Sequence, residues 1–339
     1  MKKLILILLF AGPVYLVFGQ QAPQFTQFMQ TGTIFNPALT GVNGYTEGKL
    51  GYRKQWAGLP NSPTTLFASA SGQFGYNGVE EPSISLPVRG RLASKFNTEK
   101  PEALFEKTVI KHAIGGFIIA DQTSPTALNI GNLSYALHLT LGSKWNLSFG
   151  AGVSLAQTSL NRDKLNVDVK DDPGIGSGLN SKINPDVNAG LFLHSKNLFL
   201  GYSAGYLLRN KIFSLSDQNT LVGKQRVHHY GTLGFRLDLN ESWAVTPSAM
   251  IKFVEGAPIS ADFNCRIGYK EMLWFGPGFR NQDSFSGLFG FNATNQLSLS
   301  YAYDYNYSQL NASSNGSHEV ILGFRFVKSG VKTPRPAMW

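Results

Sequence analysis

The sequence predicts an all-β fold, an antiparallel transmembrane β-barrel of about 14 strands. Three observations carry this expectation. Bulky apolar residues alternate with small or polar ones over unusually long windows. Those windows match the roughly 9–11 residues a tilted strand needs to cross a bilayer, where globular strands average about 5–6. The connections between windows sort by length, mostly short on one side and long on the other.

The alternation is plainest in 145–156. There Trp145, Leu147, Phe149, Ala151, Val153 and Leu155 share one face, and Asn146, Ser148, Gly150, Gly152, Ser154 and Ala156 share the other. In 296–307, Leu297, Leu299 and the tyrosines at 301, 303, 305 and 307 alternate with Ser298, Ser300, Ala302, Asp304 and Asn306. In 259–270, Ile259, Phe263 and Ile267 oppose Asp262, Asn264 and Arg266. A period of two puts residues i and i+2 on one face of a strand and fits no helix. Such windows fall at 47–56, 64–74, 112–121, 127–141, 144–158, 186–194, 197–207, 228–239, 242–253, 258–270, 272–281, 284–293, 296–307 and 317–327. The window at 112–121 alternates poorly.

With both termini in the periplasm, five of the six connections on that side are short: around Ser143, Ser195-Lys196, Asn240-Glu241, Lys270-Glu271 and Thr294-Asn295. The opposite side carries long segments around 159–185, 208–227 and 308–316. Residues 75–111 break the rule as a long periplasmic connection, read as a contact surface or a mouth insertion, with a missed hairpin as the competing reading. The chain therefore divides into 1–19, a signal peptide; 20–46, a periplasmic or plug segment; 47–327, the barrel; and 328–339, a tail.

The signal layout is Met1-Lys2-Lys3, an apolar run over 4–18, then a small-residue cleavage site at Val17 and Gly19. A membrane anchor is the competing reading, but the run is short and no stop-transfer charges follow. Losing Lys2 and Lys3 takes the net charge from +9 to +7.

Composition narrows the classes further. Charged residues are 15% of the chain, against about 25% in soluble domains. Cys265, the one cysteine, excludes an internal disulfide framework and a thiolate zinc site. Past the N-terminus no run of about 20 apolar residues exists, which excludes a polytopic helical membrane protein. The basic balance has no Lys/Arg patch, so no nucleic-acid partner is expected.

Gly, Ser, Asn and isolated charges cannot make a densely packed dry core, so that face is expected to line a hydrated lumen while the bulky face meets outer-membrane lipid. The competing reading, a secreted β-sandwich, sits badly with strands this long. The tyrosines of 301–307, with Trp56, Trp243, Trp274 and Tyr230, are candidates for aromatic girdles. Arg53, Arg236, Asp262, Arg266, Asp304, Glu319 and Arg325 fall on the polar face. The default reading is that opposite charges brace the lumen, with ligand reading or gating as the alternative. His228-His229 and His318-Glu319 lack metal-site spacing, Asp168, Asp171 and Asp172 lack the EF-hand spacing, and 174–178 lacks a phosphate-loop context. No cofactor or metal is expected.

Several stretches resemble one family. They are "QAPQFTQF" at 21–28, "FNPALTG" at 35–41, "YRKQWAGLPNSPTT" at 52–65, "GAPISADFN" at 256–264, "LSLSYAYDY" at 297–305 and "NGSHEVILGFRF" at 315–326. Together they resemble the PorP/SprF family of Bacteroidota over nearly the whole mature chain. The tail "KSGVKTPRPAMW" at 328–339 departs from it. The resemblance implies an outer-membrane barrel associated with the type IX secretion system and, in gliding bacteria, with export or anchoring of surface adhesins. It implies no enzyme activity. The implied partners are other secretion components or a secreted cargo protein with a C-terminal sorting domain. Arg53, Trp56, Asp262, Asp304, His318, Glu319 and Arg325 lie in the matching motifs and, with Arg236 and Arg266, are the candidate lumen or partner-binding residues.

Two functions follow from these readings. One is a barrel that docks secreted proteins or secretion machinery by protein–protein contact. The other is a FadL-like or porin-like transport barrel with Phe25, Phe28, Met29, Ile34 and Phe35 as a lumen plug.

Overall fold

The described strands of the wall form one sheet that closes on itself, with its last strand hydrogen-bonded back to its first. A computed structural model describes residues 22–74, 109–142, 145–161, 179–215, 220–270, 272–308 and 314–326. The expected signal peptide, the bulk of the long connection (75–108), the calcium-loop candidates and the C-terminal tail lie outside the described residues.

The wall strands are β1 (Thr46–Lys54), β2 (Thr64–Phe74), β3 (Ile110–Thr123), β4 (Thr126–Leu141), β5 (Trp145–Asn161), β6 (Leu179–His194) and β7 (Leu198–Gly205). A separate hairpin follows, β8 (Lys211–Leu215) with β9 (Thr220–Lys224). The wall resumes with β10 (His228–Phe235), β11 (Leu237–Asp238), β12 (Trp243–Val254), β13 (Ser260–Tyr269), β14 (Leu273–Arg280), β15 (Ser284–Asn292), β16 (Leu297–Asn306) and β17 (Ser317–Phe326). β10 and β11 are one strand interrupted at Arg236, so the 15-stranded sheet is a closed antiparallel barrel of 14 staves. Closure comes from β1 on β17, with Arg53 opposite Glu319.

Two rims result. At the turn rim, where β1 begins and β17 ends, the connections 142–144, 195–197, 239–242, 270–272 and 293–296 are short. The opposite loop rim carries 162–178, 206–227 and 307–316, but also the short connections 124–125, 255–259 and 281–283. The sorting by length is thus one-sided. β5 and β6 extend past the expected windows, and β6 begins at Leu179 rather than 186. The added residues include Lys182 and Asn184, which hydrogen-bond the backbone at Lys211, so polar contacts extend this part of the wall.

The outward face is apolar. Ile118 and Leu133 are 66% and 67% exposed, and Leu66, Val153, Leu200, Ile251 and Phe289 are exposed with them. A belt of this kind would be an aggregation surface in water and is at home in lipid. The poorly alternating window became β3, and the reason is its inner face. Ala113, Phe117 and Ile119 are buried inward while Ile114 and Ile118 face out, so both faces are apolar.

That inner face meets the N-terminal segment. Residues 22–45 cross the lumen through a helical turn (Gly32–Phe35) and a 3-10 turn (Pro37–Leu39). Side chains alone fill a barrel of about eight staves, and a wider one needs more material inside. Phe25, Phe28 and Phe35 form a buried cluster with Phe67, Phe117, Ile119, Ile130, Tyr230, Met250 and Ile321. Phe25 meets the Phe67 ring edge-on at 5.1 Å, and Phe35 lies 5.2 Å from Tyr230. Each fully buried phenylalanine contributes about 1.5–3 kcal/mol. The expectation of a hydrated lumen is corrected for this stretch: a dry apolar core sits inside the wall here because the segment brings the bulk that the wall lacks. Tyr230 and Trp274 are corrected with it, since both are buried inward and belong to no girdle. Trp243 does lie outward, 4.7 Å from Tyr269 at the turn rim.

The wall makes room for the segment with glycine. A Cβ at Gly150 would overlap the backbone of Pro37 and Ala38, and one at Gly190 would overlap the Asn36 amide. Gly150→Leu should leave the outward face and the barrel's heat-modifiable gel migration intact while displacing the 3-10 turn. Limited proteolysis between 22 and 45 should then be faster than in the wild type; equal rates would sink this packing role.

Candidate functional site

The segment's backbone is satisfied partly by its own turns and partly by side chains of the wall, rather than by a ladder. Arg280 donates to Phe25 O (3.2 Å), Asn264 to Thr26 O (3.0 Å) and Lys49 to Gln30 O (2.9 Å). Ser203 donates to Phe35 O (2.8 Å) and Gln73 to Gly41 O (2.9 Å). His138 Nε2 lies 2.9 Å from Thr40 O. Buried carbonyls need such partners, and here they come from strands all round the barrel.

The strongest contacts gather near the loop rim. Arg53 is 1% exposed and bridges Asp304 (2.7 Å) and Glu319 (3.0 Å), which are equally buried. Glu319 also accepts the backbone N–H of Thr26 (2.8 Å) and of Gln27 (3.0 Å). The Thr26 hydroxyl donates to Asp304 (2.7 Å), and Ser286 donates there too. Beside this group Asp262 pairs with Arg280 (2.8 Å) and Lys252 (2.6 Å), and Arg280 reaches Asp283 (3.2 Å). Three cations, Arg53, Lys252 and Arg280, thus face four carboxylates, Asp262, Asp283, Asp304 and Glu319. The N–H groups at Thr26 and Gln27 offset that excess on Glu319, since a carboxylate is well stabilised by charge-assisted bonds from backbone amides. The β1–β2 turn caps this end: Trp56 has a left-handed φ of 47° and its N–H donates to Ser317 Oγ (3.1 Å). Ala57 N–H donates to Gly316 O (2.7 Å).

A second feature lies at the turn rim. A cavity of about 810 Å³ is lined by Arg236, Arg266, Lys270 and Arg325, with Asp238 and Glu241. Arg236 pairs with Asp238 (2.8 Å), Arg266 lies over the Trp274 ring at 4.7 Å, and Arg325 donates to Asn292 (3.0 Å). Tyr45 joins the lining. Burial, and then Glu47, pushes its hydroxyl up to about 12, against the lowering effect of Arg325 and Arg266. It is a neutral hydrogen-bonding group at physiological pH.

The nine sequence-derived candidates therefore separate. Arg53, Asp262, Asp304 and Glu319 meet near the loop rim, and Arg236, Arg266 and Arg325 line the turn-rim cavity. Trp56 belongs to the capping turn. His318 leaves both sets: its Nδ1 lies 2.7 Å from the exposed Tyr301 hydroxyl, on the outward face with Val320. Sequence reading missed Lys252 and Arg280, although both carry the inward parity of their strands, with Met250 and Trp274 as buried companions. It also missed Thr26, for which no local pattern exists. Among the described residues no group of three or more His, Cys, Asp or Glu is arranged to hold a metal.

The family model described as type IX secretion system membrane protein PorP/SprF matches residues 17–324. No curated protein sequence matches the chain. Solved structures similar to it include the toluene transporter TodX of P. putida, at 11% identity, covering 86% of this chain and 92% of that one with a TM-score of 0.46. A Pseudomonas aeruginosa FadL homologue is similar at 10% identity, with 86% and 91% covered and a TM-score of 0.41. The translocator domain of the autotransporter NalP from Neisseria meningitidis is similar at 10% identity, with 83% and 88% covered and a TM-score of 0.35.

Arg53→Leu should destabilise the barrel by about 3–5 kcal/mol, because it leaves Asp304 and Glu319 buried without their cation. Adding Glu319→Gln should recover part of that loss, read as a rise in the temperature at which the folded band disappears from gels. Additive losses in the double variant would contradict the network.

Proposed function

The chain belongs to the PorP/SprF family of type IX secretion system membrane proteins, and on that premise we propose that it docks or anchors secreted surface proteins through protein–protein contacts. It is an outer-membrane β-barrel of the secretion apparatus. In this reading the turn rim faces the periplasm, as short turns do in outer-membrane barrels. The contacts are to other secretion components and to cargo carrying a C-terminal sorting domain. No step of the proposed activity makes or breaks a covalent bond.

One observation carries the reading: the lumen holds the chain's own N-terminal segment, pinned by a buried ionic network and by an apolar cluster. A barrel filled this way is suited to presenting surfaces at its rims more than to passing solutes. The same segment supports a second reading, a transport barrel in which 22–45 is a removable plug. That reading needs the phenylalanine cluster and the Arg53 network to open together, which makes it the weaker of the two.

Two measurements separate them. Affinity-tagged chain purified from native membranes in mild detergent should bring a secreted protein or a periplasmic secretion component with it; a clean single band would refute docking. Reconstituted in liposomes, the full chain should show no ion conductance. Conductance and solute uptake by the full chain would favour transport, and deletion of 22–45 would then raise both.

A further inference from the structure

We propose that the turn-rim cavity is a binding site for an acidic, extended peptide segment of a partner. The inference rests on the docking reading and names the chemistry that docking would use at this rim. Among the described residues, four cations, Arg236, Arg266, Lys270 and Arg325, and two carboxylates, Asp238 and Glu241, line one concave space of about 810 Å³. A concave site with a surplus of one sign between low-dielectric walls focuses its field and concentrates counter-charges.

Three of the cations are arginines, and each is oriented by a different wall group: Asp238, the Trp274 ring and the Asn292 side-chain amide oxygen. A planar guanidinium fork with five donors suits a carboxylate, and pre-orientation lowers the entropy lost when one binds. The rest of the lining is mostly amide and hydroxyl, from residues such as Asn240, Asn295 and Thr294. Such groups pair with the N–H and C=O of an extended backbone.

The size argues for a peptide over a small anion. The cavity lies at the upper end of the volumes that drug-sized ligands occupy, about 300–1,000 Å³, and a single carboxylate would leave its cations spread around mostly unfilled space. Tyr45, from the segment that crosses the lumen, joins the lining, so an occupant comes in from the turn rim and meets that segment at the far side.

The test uses the full chain purified in mild detergent, with fluorescently labelled oligoglutamate, oligolysine and Gly/Ser peptides of equal length. Oligoglutamate should bind and the other two should not, and the affinity should fall as salt rises. Arg266→Gln with Arg325→Gln should weaken oligoglutamate by about tenfold or more. Lys270→Gln, at an exposed turn where folding is not at stake, should weaken it by a few-fold. Heat-modifiable migration verifies each fold. Equal binding of the three peptides, or binding unchanged by both sets of substitutions, overturns the proposal. So does glutarate competing at the concentration of the peptide, which would make this a small-anion site. Peptide binding retained without copurifying partners would count against the docking reading alone. Copurification without peptide binding would count against this site alone.

Discussion

The carboxylate of Glu319 holds two parts of the chain to each other. It sits at the start of β17, fully buried, and accepts from Arg53 on the closing strand and from two backbone amides of the N-terminal segment. Such a charge is costly to bury unless it is fully partnered. Without the segment, Glu319 would lose both backbone amides and Asp304 the Thr26 hydroxyl, leaving Arg53 and Ser286 to serve two buried carboxylates. Without the wall, the carbonyls of Phe25, Thr26, Gln30 and Phe35 would lose their donors. Barrel closure at β1–β17 and filling of the lumen are therefore linked through one buried carboxylate.

The same dependence explains why the wall has two inner regimes. Where the segment presents phenylalanine, the wall answers with Phe67, Phe117, Ile119 and Met250. Where it presents bare backbone, the wall answers with hydrogen-bonding side chains, or with glycines that let the turn at 36–38 come close. The outer face has no such partner and is simply apolar. A mean hydropathy of −0.10 averages these surfaces and describes none of them.

Much of this was legible in the sequence because a strand's period is short and strict. The windows 144–158, 258–270 and 296–307 became β5, β13 and β16 with the expected faces outward. The inward placement of Arg53, Asp304 and Glu319 follows from parity alone. What parity lacks is a rule for telling lipid from plug when both faces are bulky. That is why 112–121 reads poorly; the girdle reading of Trp274 and Tyr230 rests instead on their place near strand ends, although parity sets Trp274 on the inner face with Gly276, Gly278 and Arg280. Their burial depends on contacts with residues far away in the chain. Thr26 is separated from Asp304 by 278 positions, and no local pattern announces such a contact. The start of β6 was missed for another reason: Lys182 and Asn184 lie in a polar part of the wall where an alternation tuned to lipid has nothing to report.

The two charged regions differ in a way that bears on use. Near the loop rim, acids and bases are buried and consumed by one another and by the segment. At the turn rim the cations line an open volume, and the three arginines are each held by a contact that orients the charge. A salt bridge sealed from water mainly fixes structure, whereas an oriented cation in a solvated cavity retains a field that reaches an arriving molecule. Among the described residues the barrel is therefore polarised along its axis, with a sealed ionic network near one rim and a charged cavity at the other. That polarity follows from where the N-terminal segment lies. It enters near the loop rim, where its amides are needed to complete the acids, and leaves the lumen at Tyr45, beside the cavity it does not fill.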